Sequence, residues 1–447
     1  MKETLPGCSL VILCFLVGLL GVALGEDRCE FKDRYPLQYV AYKTSKAPIV
    51  DGRLDDKAWQ EVGWSESFQD ITGDSSKTPY HETRMKMRWD DEFLYIGAVL
   101  TEPDIWANIT TDNQVIFHDN DFEFFIDPAG STHFYKEFEV NAAGAQWSLC
   151  LNKPYLNGGY ENSSRVFPGH GWSFSSHLQS AIFISGTLNN PKDVDDYWSV
   201  ELAVPLGEVQ YNNSAGKVTS GSLWRINFSR VQWHVVKVGD HYEKVAGPEE
   251  NWVWSKMGEV NMHLPERWGY LQFADGKVNS TKVKPDSQWT LRCVCMALYT
   301  AQLRYKDVHG QYTNLVEELL PFDPDAVLPG TCSSYPDIKL TKNGGYVAMV
   351  TSKSGDMLAT IRDDRFLQVV PASPLERLSR SFPLKPSRKR TCAAWRATLT
   401  ASCWRTASLS SRLMLSLLAF SSLALLLFAA STLACEIINV NIFPLYK

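Results

Sequence analysis

The chain has 447 residues and a net charge of −6. That length allows two or three domains with hydrophobic cores, and the charge gives no reason to expect nucleic acid as a partner. Aromatic residues make up 12% of the chain, with 15 Trp; such a supply can serve a sugar-gripping surface, but for most of these Trp an aromatic-rich β core is the better reading.

Residues 1–25 read as a secretory signal. Lys2 supplies a weak basic region, residues 10–20 are apolar, and Ala23 and Gly25 are small residues before a cleavage point at Glu26. Sequons at Asn108, Asn162, Asn212 and Asn279 fit an extracellular compartment. A fifth, at Asn227, falls inside a predicted strand and is discounted. The folded part carries Cys29, Cys150, Cys293, Cys295 and Cys332. Five is odd, so the spacing alone fixes no pairing. Cys293 and Cys295 sit in a predicted helix, without the spacing or His partners of a zinc site.

Residues 26–46 read as a lead-in. Residues 48–59 predict a short strand, a Gly turn and a short helix, with Asp55 as its cap and Trp59 as a plug at one end of a sandwich. Met85 and Met87 alternate with basic residues in a strand over 83–89. Asp90-Asp91 turns the chain into 93–100, which is apolar on both sides, as a central buried strand is. The stretch 116–127, IFHDNDFEFFID, is the centre of the pattern. Phe122, Phe124 and Ile126 alternate with Asp121, Glu123 and Asp127, and Phe125 breaks the polar side. Over 132–141, Phe134, Phe138 and Val140 alternate with Tyr135, Glu137, Glu139 and Asn141. Further strands are predicted over 178–184, 197–204 and 223–231, followed by an aromatic loop over 248–268 and a closing strand at 269–273. Short strands with turn signals predict a mainly β fold, an antiparallel β-sandwich of about ten strands over 26–275.

A polar linker over 276–286 leads to a small α+β domain over 287–370, and its lack of apolar periodicity predicts two independently folding units. From about 371 to 447 the composition changes, and 413–435 is an uncharged run long enough to span a bilayer. Its basic flank lies on the luminal side, against the positive-inside rule. A membrane enters only if that segment is a real anchor.

The motifs VDGRLDDKAW, MRWDDEFLYIGAVL, IFHDNDFEFFIDP, YKEFEVNA, YWSVELAVP, WRINFSRVQW and ENWVWSKMGEVNMHLPERWGYLQF occur in this order over 48–273. Together they resemble a family 9 carbohydrate-binding module of the stand-alone, family 9-like kind. The resemblance implies a β-sandwich that holds sugar between two aromatic side chains, with carboxylate, amide and Arg side chains on the hydroxyls. Carried over by motif, the first aromatic position falls on Phe117 and the acid on Glu123. The Arg position falls on Glu139, with Asn141 beyond it, an amide position on Ser229, and the second aromatic on or beside Met262, next to His263. Trp254 or Trp252 could replace that second platform.

The expected function is non-catalytic binding of oligo- or polysaccharide, linked to carbohydrate catabolism. Two alternatives stay open. One is a glycoside hydrolase using Glu123 with Glu139 or Glu137, although no apolar pocket is evident to raise one pKa. The other is a haem-binding sandwich with ligands from Met85, Met87, Met262 and His263. No cofactor is expected. Structural calcium is open at the acidic pairs Asp119/Asp121 and Asp90/Asp91, though Asp90-Asp91 reads better as a turn.

Overall fold

The computed structural model describes residues 29–323, 330 and 332–373. The tail with its apolar run at 413–435 and the signal segment lie outside the described residues. Among those described, no helix is long and apolar enough to cross a membrane.

The strands of the larger part are β1 (Gln38–Lys43), β2 (Gln69–Asp70), β3 (Thr83–Trp89), β4 (Phe93–Thr101), β5 (Asp121–Asp127), β6 (Tyr135–Asn141), β7 (Gln146–Leu151), β8 (Glu161–Ser163), β9 (Gln179–Ser185), β10 (Tyr197–Pro205), β11 (Leu223–Gln232), β12 (Val235–Val238), β13 (His241–Lys244), β14 (Glu250–Val253) and β15 (Gly269–Ala274). All but the β12–β13 hairpin belong to one hydrogen-bonded sheet of order β8-β7-β6-β5-β11-β15-β1-β3-β4-β10-β9, with β14 on β11 and β2 on β14. The sheet folds over so that both halves feed one core. Phe122, Phe124 and Ile126 of β5, Phe138 and Val140 of β6 and Trp224, Ile226 and Phe228 of β11 meet Met85 and Met87 of β3, Leu94 and Ile96 of β4 and Trp198 and Val200 of β10. This is the sandwich that the period-2 pattern predicts, with more strands than about ten.

The pairing is not wholly antiparallel. β1 lies parallel to β15 on one side and parallel to β3 on the other. The stretch expected to be a lead-in therefore closes the sheet, and Ala41 is fully buried there. The short helix is Lys57–Gln60, and Asp56 precedes it, not Asp55. The Asp56 carboxylate does not cap the helix but accepts the Ile49 N–H at 2.6 Å. Trp59 plugs the sandwich as expected, its indole N–H donating to Glu201 at 2.7 Å in a buried setting. Asp90 makes the turn, accepting the backbone N–H groups of Glu92 and Phe93, each at 2.8 Å. Asp91 pairs with Lys43.

In the smaller part a 21-residue helix, Trp289–His309, packs on the antiparallel strands β16 (Asp337–Leu340), β17 (Tyr346–Thr351), β18 (Met357–Arg362) and β19 (Leu367–Pro371). Its apolar positions Leu291, Val294, Cys295, Leu298 and Tyr299 are buried together with Ile338, Tyr346, Val350 and Ile361. Cys29 and Phe31, far away in sequence, belong to the same core, and Cys29 is disulfide-bonded to Cys332. The linker is not a free tether. Lys284 N–H donates to Gln272 at 2.8 Å, its carbonyl accepts Gln38 Nε2 at 3.1 Å, and Asp286 accepts the Tyr270 hydroxyl at 2.8 Å. Arg292 donates to the Gly130 carbonyl and Thr132 to the Arg365 carbonyl, both at 2.8 Å. The two hydrophobic cores stay distinct, but these bonds join their surfaces.

Candidate functional site

On β5, β6 and β11 every second residue turns away from the core. Ser229 lies opposite Glu123 across one pairing and Glu139 opposite it across the other, so the three side chains form a row. Directly opposite residues on neighbouring strands share a face. Asp121 and Glu137 flank the row. Phe125 shares the outer side, since it joins the cluster that covers that face; the alternation is therefore intact.

The sequence predicts an open polar face. The structure shows a roofed one. Ile71, Ile116, Met257, Met262, Leu264 and Trp268 lie over the face and pack with Phe125, Tyr135, Trp147, Leu149 and Val253 from the sheet itself. Asp121, Glu123 and Glu139 are only 0%, 4% and 1% exposed. Their environment disfavours ionisation, contrary to the expectation that nothing here would raise a carboxyl pKa. Burial, partly offset by the nearby Ser229 hydroxyl and reinforced by Glu249, pushes Glu123 up to about 7. Burial and then the charge of Glu123 raise Asp121, Glu137 and Glu139 well above the carboxylate range.

The predicted site residues divide. Phe117 stays at the rim, half-buried, its N–H donating to Glu139 Oε2 at 3.2 Å. Glu123, Glu139 and Ser229 come together. Asn141 does not serve a ligand: its amide donates to the Ile109 carbonyl at 2.8 Å and Asp119 at 3.0 Å, and its oxygen accepts the N–H groups of Ala143 and Ala145 at 3.1 Å. Its donors are spent on the segment before β5 and its oxygen on the β6–β7 turn. Asp119 Oδ2 also accepts the Asn108 and Ile109 N–H groups.

Trp254 and Trp252 belong to the inner core and cannot replace a lost platform. The Trp254 ring lies over Gly269, where an added Cβ would fall 2.4 Å from it, and its indole N–H donates to Glu66 at 3.1 Å. Met262 is in the roof, and its carbonyl accepts the Trp268 indole N–H at 2.7 Å. His263 turns inward, 3.0 Å from the Tyr135 hydroxyl, with Tyr155 and Phe125 edge-on. Met85 and Met87 are core residues on the opposite side of the sheet, so the structure does not bring them to His263 as a haem would require. Asn227 is fully buried in β11, its amide donating to the Ser255 carbonyl, as its discounted sequon implies. Asn108, Asn212 and Asn279 are exposed, while Asn162 is partly buried and accepts the Trp172 N–H at 3.0 Å.

The inward His263 has a testable consequence. Burial holds its pKa down at about 4, below the usual 6.5. The unfolded chain then takes up a proton near pH 6.5 that the folded chain refuses, so its contribution is full above that pH and is lost as pH falls toward 4. Between pH 7 and pH 5 this is expected to cost about 1–2 kcal/mol. Urea titrations across that range should show a shallower pH dependence in His263→Gln. An identical slope in the variant would rule His263 out as the group responsible.

One rim residue is absent from the sequence-based set. Trp233 continues the outward series Asn227, Ser229, Val231 and is partly exposed. Its indole N–H donates to the Phe117 carbonyl at 2.8 Å, and its backbone N–H to Asn120 at 2.7 Å. The Lys244 ammonium lies 3.9 Å from its ring centroid. Two aromatic side chains are thus linked through backbone at the edge of the acidic row. Beside them a cleft of about 390 Å³ opens between residues 70–80 and 248–260, lined by Tyr80, Glu249, Glu250 and Asn251. Glu123 and Glu139 do not line it. Their oxygens come within 4.8 Å of each other, near the separation of a retaining glycosidase pair, yet they stand under a roof, not on either side of an open groove.

Residues 50–148 match the family model described as carbohydrate family 9 binding domain-like. The family 9-like segment contains Phe117, Asp121, Glu123 and Glu139. Solved structures similar in fold include a candidate carbohydrate-binding protein from Bacteroides uniformis, at 15% identity and a TM-score of 0.38 over 53% of this chain and 99% of that one. A family 9 carbohydrate-binding module from Caldicellulosiruptor kristjanssonii in complex with cellotriose gives 15% and 0.32 over 55% of this chain and 100% of that one. The same module with glucose gives 0.31 with the same identity and coverage. No curated protein matches the chain.

Proposed function

We propose that this protein binds carbohydrate without transforming it, in the extracellular space and in the service of carbohydrate catabolism. A sugar ring rests on Trp233 and Phe117 at the rim, with Glu123 and Glu139 behind. The observation that carries this reading is the family match over 50–148, the segment that holds Phe117 and both carboxylates. Aromatic faces stack on the C–H side of sugar rings, and the roofed carboxylate of Glu139 holds the Phe117 backbone in place. A disulfide between Cys29 and Cys332 supports an oxidising compartment. Exposed sequons at Asn108, Asn212 and Asn279 support glycosylation there.

A glycan array, followed by calorimetry with the best binder, tests the reading. Trp233→Ala and Phe117→Ala should each weaken binding roughly tenfold, about 1.4 kcal/mol, with little change in Tm because both rings are partly exposed. Unchanged affinity in both, with loss in Tyr80→Ala, would move the site into the neighbouring cleft. Glycosidase activity present in wild type and absent in Glu123→Gln would overturn the non-catalytic reading.

A further inference from the structure

A charge pair lies buried inside the sandwich, next to the rim. Glu102, the residue after β4, and Arg230 of β11 are 3% and 0% exposed and stand 2.8 Å apart. Arg230 also donates to Gln232 Oε1 at 2.9 Å, and to Thr83 Oγ1 and the Thr101 carbonyl at 3.0 Å each. Its guanidinium lies 5.2 Å from the Trp252 ring centroid. It therefore ties β11 to β3 and β4 in the other half of the sheet. Replacing such a pair by packed apolar side chains is often neutral or stabilising, so stability alone does not account for its presence. What the pair does fix is geometry.

That geometry leads outward to the rim. Glu102 Oε2, held by Arg230, accepts the Asn120 amide at 3.1 Å, and the Asn120 oxygen accepts the Trp233 backbone N–H at 2.7 Å. Asn120 is itself 2% exposed, in the turn between the 3-10 helix Ile116–His118 and β5. Beside Arg230 the carboxylate is an acceptor, and a backbone N–H is a donor, so the amide has one orientation. Trp233 lies one residue past β11, beyond the ladders that hold this strand to β5 and β14. Its N–H goes to the Asn120 side chain in place of a strand partner. From there the indole N–H carries the line to the Phe117 carbonyl.

We infer that Asn120, set by the Glu102–Arg230 pair, is a positioning residue for the sugar platform: it fixes Trp233, and through the indole Phe117, in the arrangement that meets a sugar ring. None of these three polar side chains touches the ligand. Their contribution is a platform ordered before binding, which spares the ligand the work of ordering it. What the platform serves rests on the carbohydrate-binding reading. The positioning itself is measured without sugar.

The test follows the indole N–H protons of the whole chain by NMR, with the Trp233 signal assigned by its absence in Trp233→Phe. In Asn120→Ala the Trp233 indole proton should exchange with solvent roughly tenfold faster, while those of Trp59 and Trp254 in the core keep their wild-type rates. Glu102→Gln keeps its shape and one oxygen but not its charge. It should give a smaller rise of the same kind, and it serves as the test should Asn120→Ala not fold. With the best glycan from the array, Asn120→Ala should weaken binding by about two- to tenfold. Wild-type exchange at Trp233 in these variants would overturn the inference whatever the sugar result. So would faster exchange at every indole alike, which marks a general loss of structure. Faster exchange at Trp233 with unchanged affinity, where Trp233→Ala loses it, would overturn the positioning role and leave the sugar reading standing. Unchanged affinity in both Trp233→Ala and Phe117→Ala would sink the platform, and the role of Asn120 with it.

Discussion

Trp254→Ala is expected to destabilise the sandwich by about 3–5 kcal/mol, the range for removing a large aromatic side chain from a core. The indole is fully buried with Trp252 and Phe228. It covers Gly269, so the cavity cannot be filled by the strand beneath without moving β15. Loss of its bond also leaves Glu66 without that donor. Urea denaturation should show a lower midpoint. A variant with wild-type stability and weakened sugar affinity would mean instead that Trp254 is a binding platform after all.

Breaking the Cys29–Cys332 bond, by Cys29→Ser/Cys332→Ser, should cost about 2–5 kcal/mol, toward the upper end of what disulfides contribute. The sequence separation is 303 residues, and constraint on the unfolded chain grows with the loop closed. The loss should fall first on the smaller part, since Cys29 and Phe31 complete its core and Trp289 and Thr290 donate to the Phe31 and Cys29 carbonyls at 3.1 and 2.6 Å. Hydrogen exchange in Trp289–His309 should rise before exchange in β4 or β10. Unchanged protection in that helix would show that non-covalent contacts suffice to dock the N-terminal segment.

The outcome at particular residues shows what a sequence reveals and where it falls silent. Period 2 in DFEFFID placed Phe122 and Phe124 inside and Glu123 outside because side-chain direction in a strand is set by the backbone alone. That rule also reaches Trp233, two steps beyond Ser229 on the same strand series, and following the alternation past the expected end of the strand would have found it. The roof was not legible. A Met or Trp in a loop carries the same hydrophobicity whether it grips a ligand or seals a face, so Trp254 and Met262 read as platforms. Asn141 was misread for a related reason. Its amide looks the same free or spent, although Gly144 three residues on hinted at a turn, and Gly144 does adopt φ 83° there. β1 was missed because QYVAYK is apolar at four successive positions, 39–42, and so shows no alternation to set it apart from a lead-in.

The position of β1 also bears on how the protein is made. Its neighbours are β3, which follows soon in synthesis, and β15, whose Tyr270 pairs with Gln38. A ribosome must therefore deliver almost the whole sandwich before the first strand can be flanked on both sides. Until then the nascent chain carries open strand edges, and such edges recruit other strands. Contacts of this sequence separation also slow folding. The protein should thus lean on chaperones during synthesis, and truncation before residue 269 should yield not a smaller sandwich but an aggregating one.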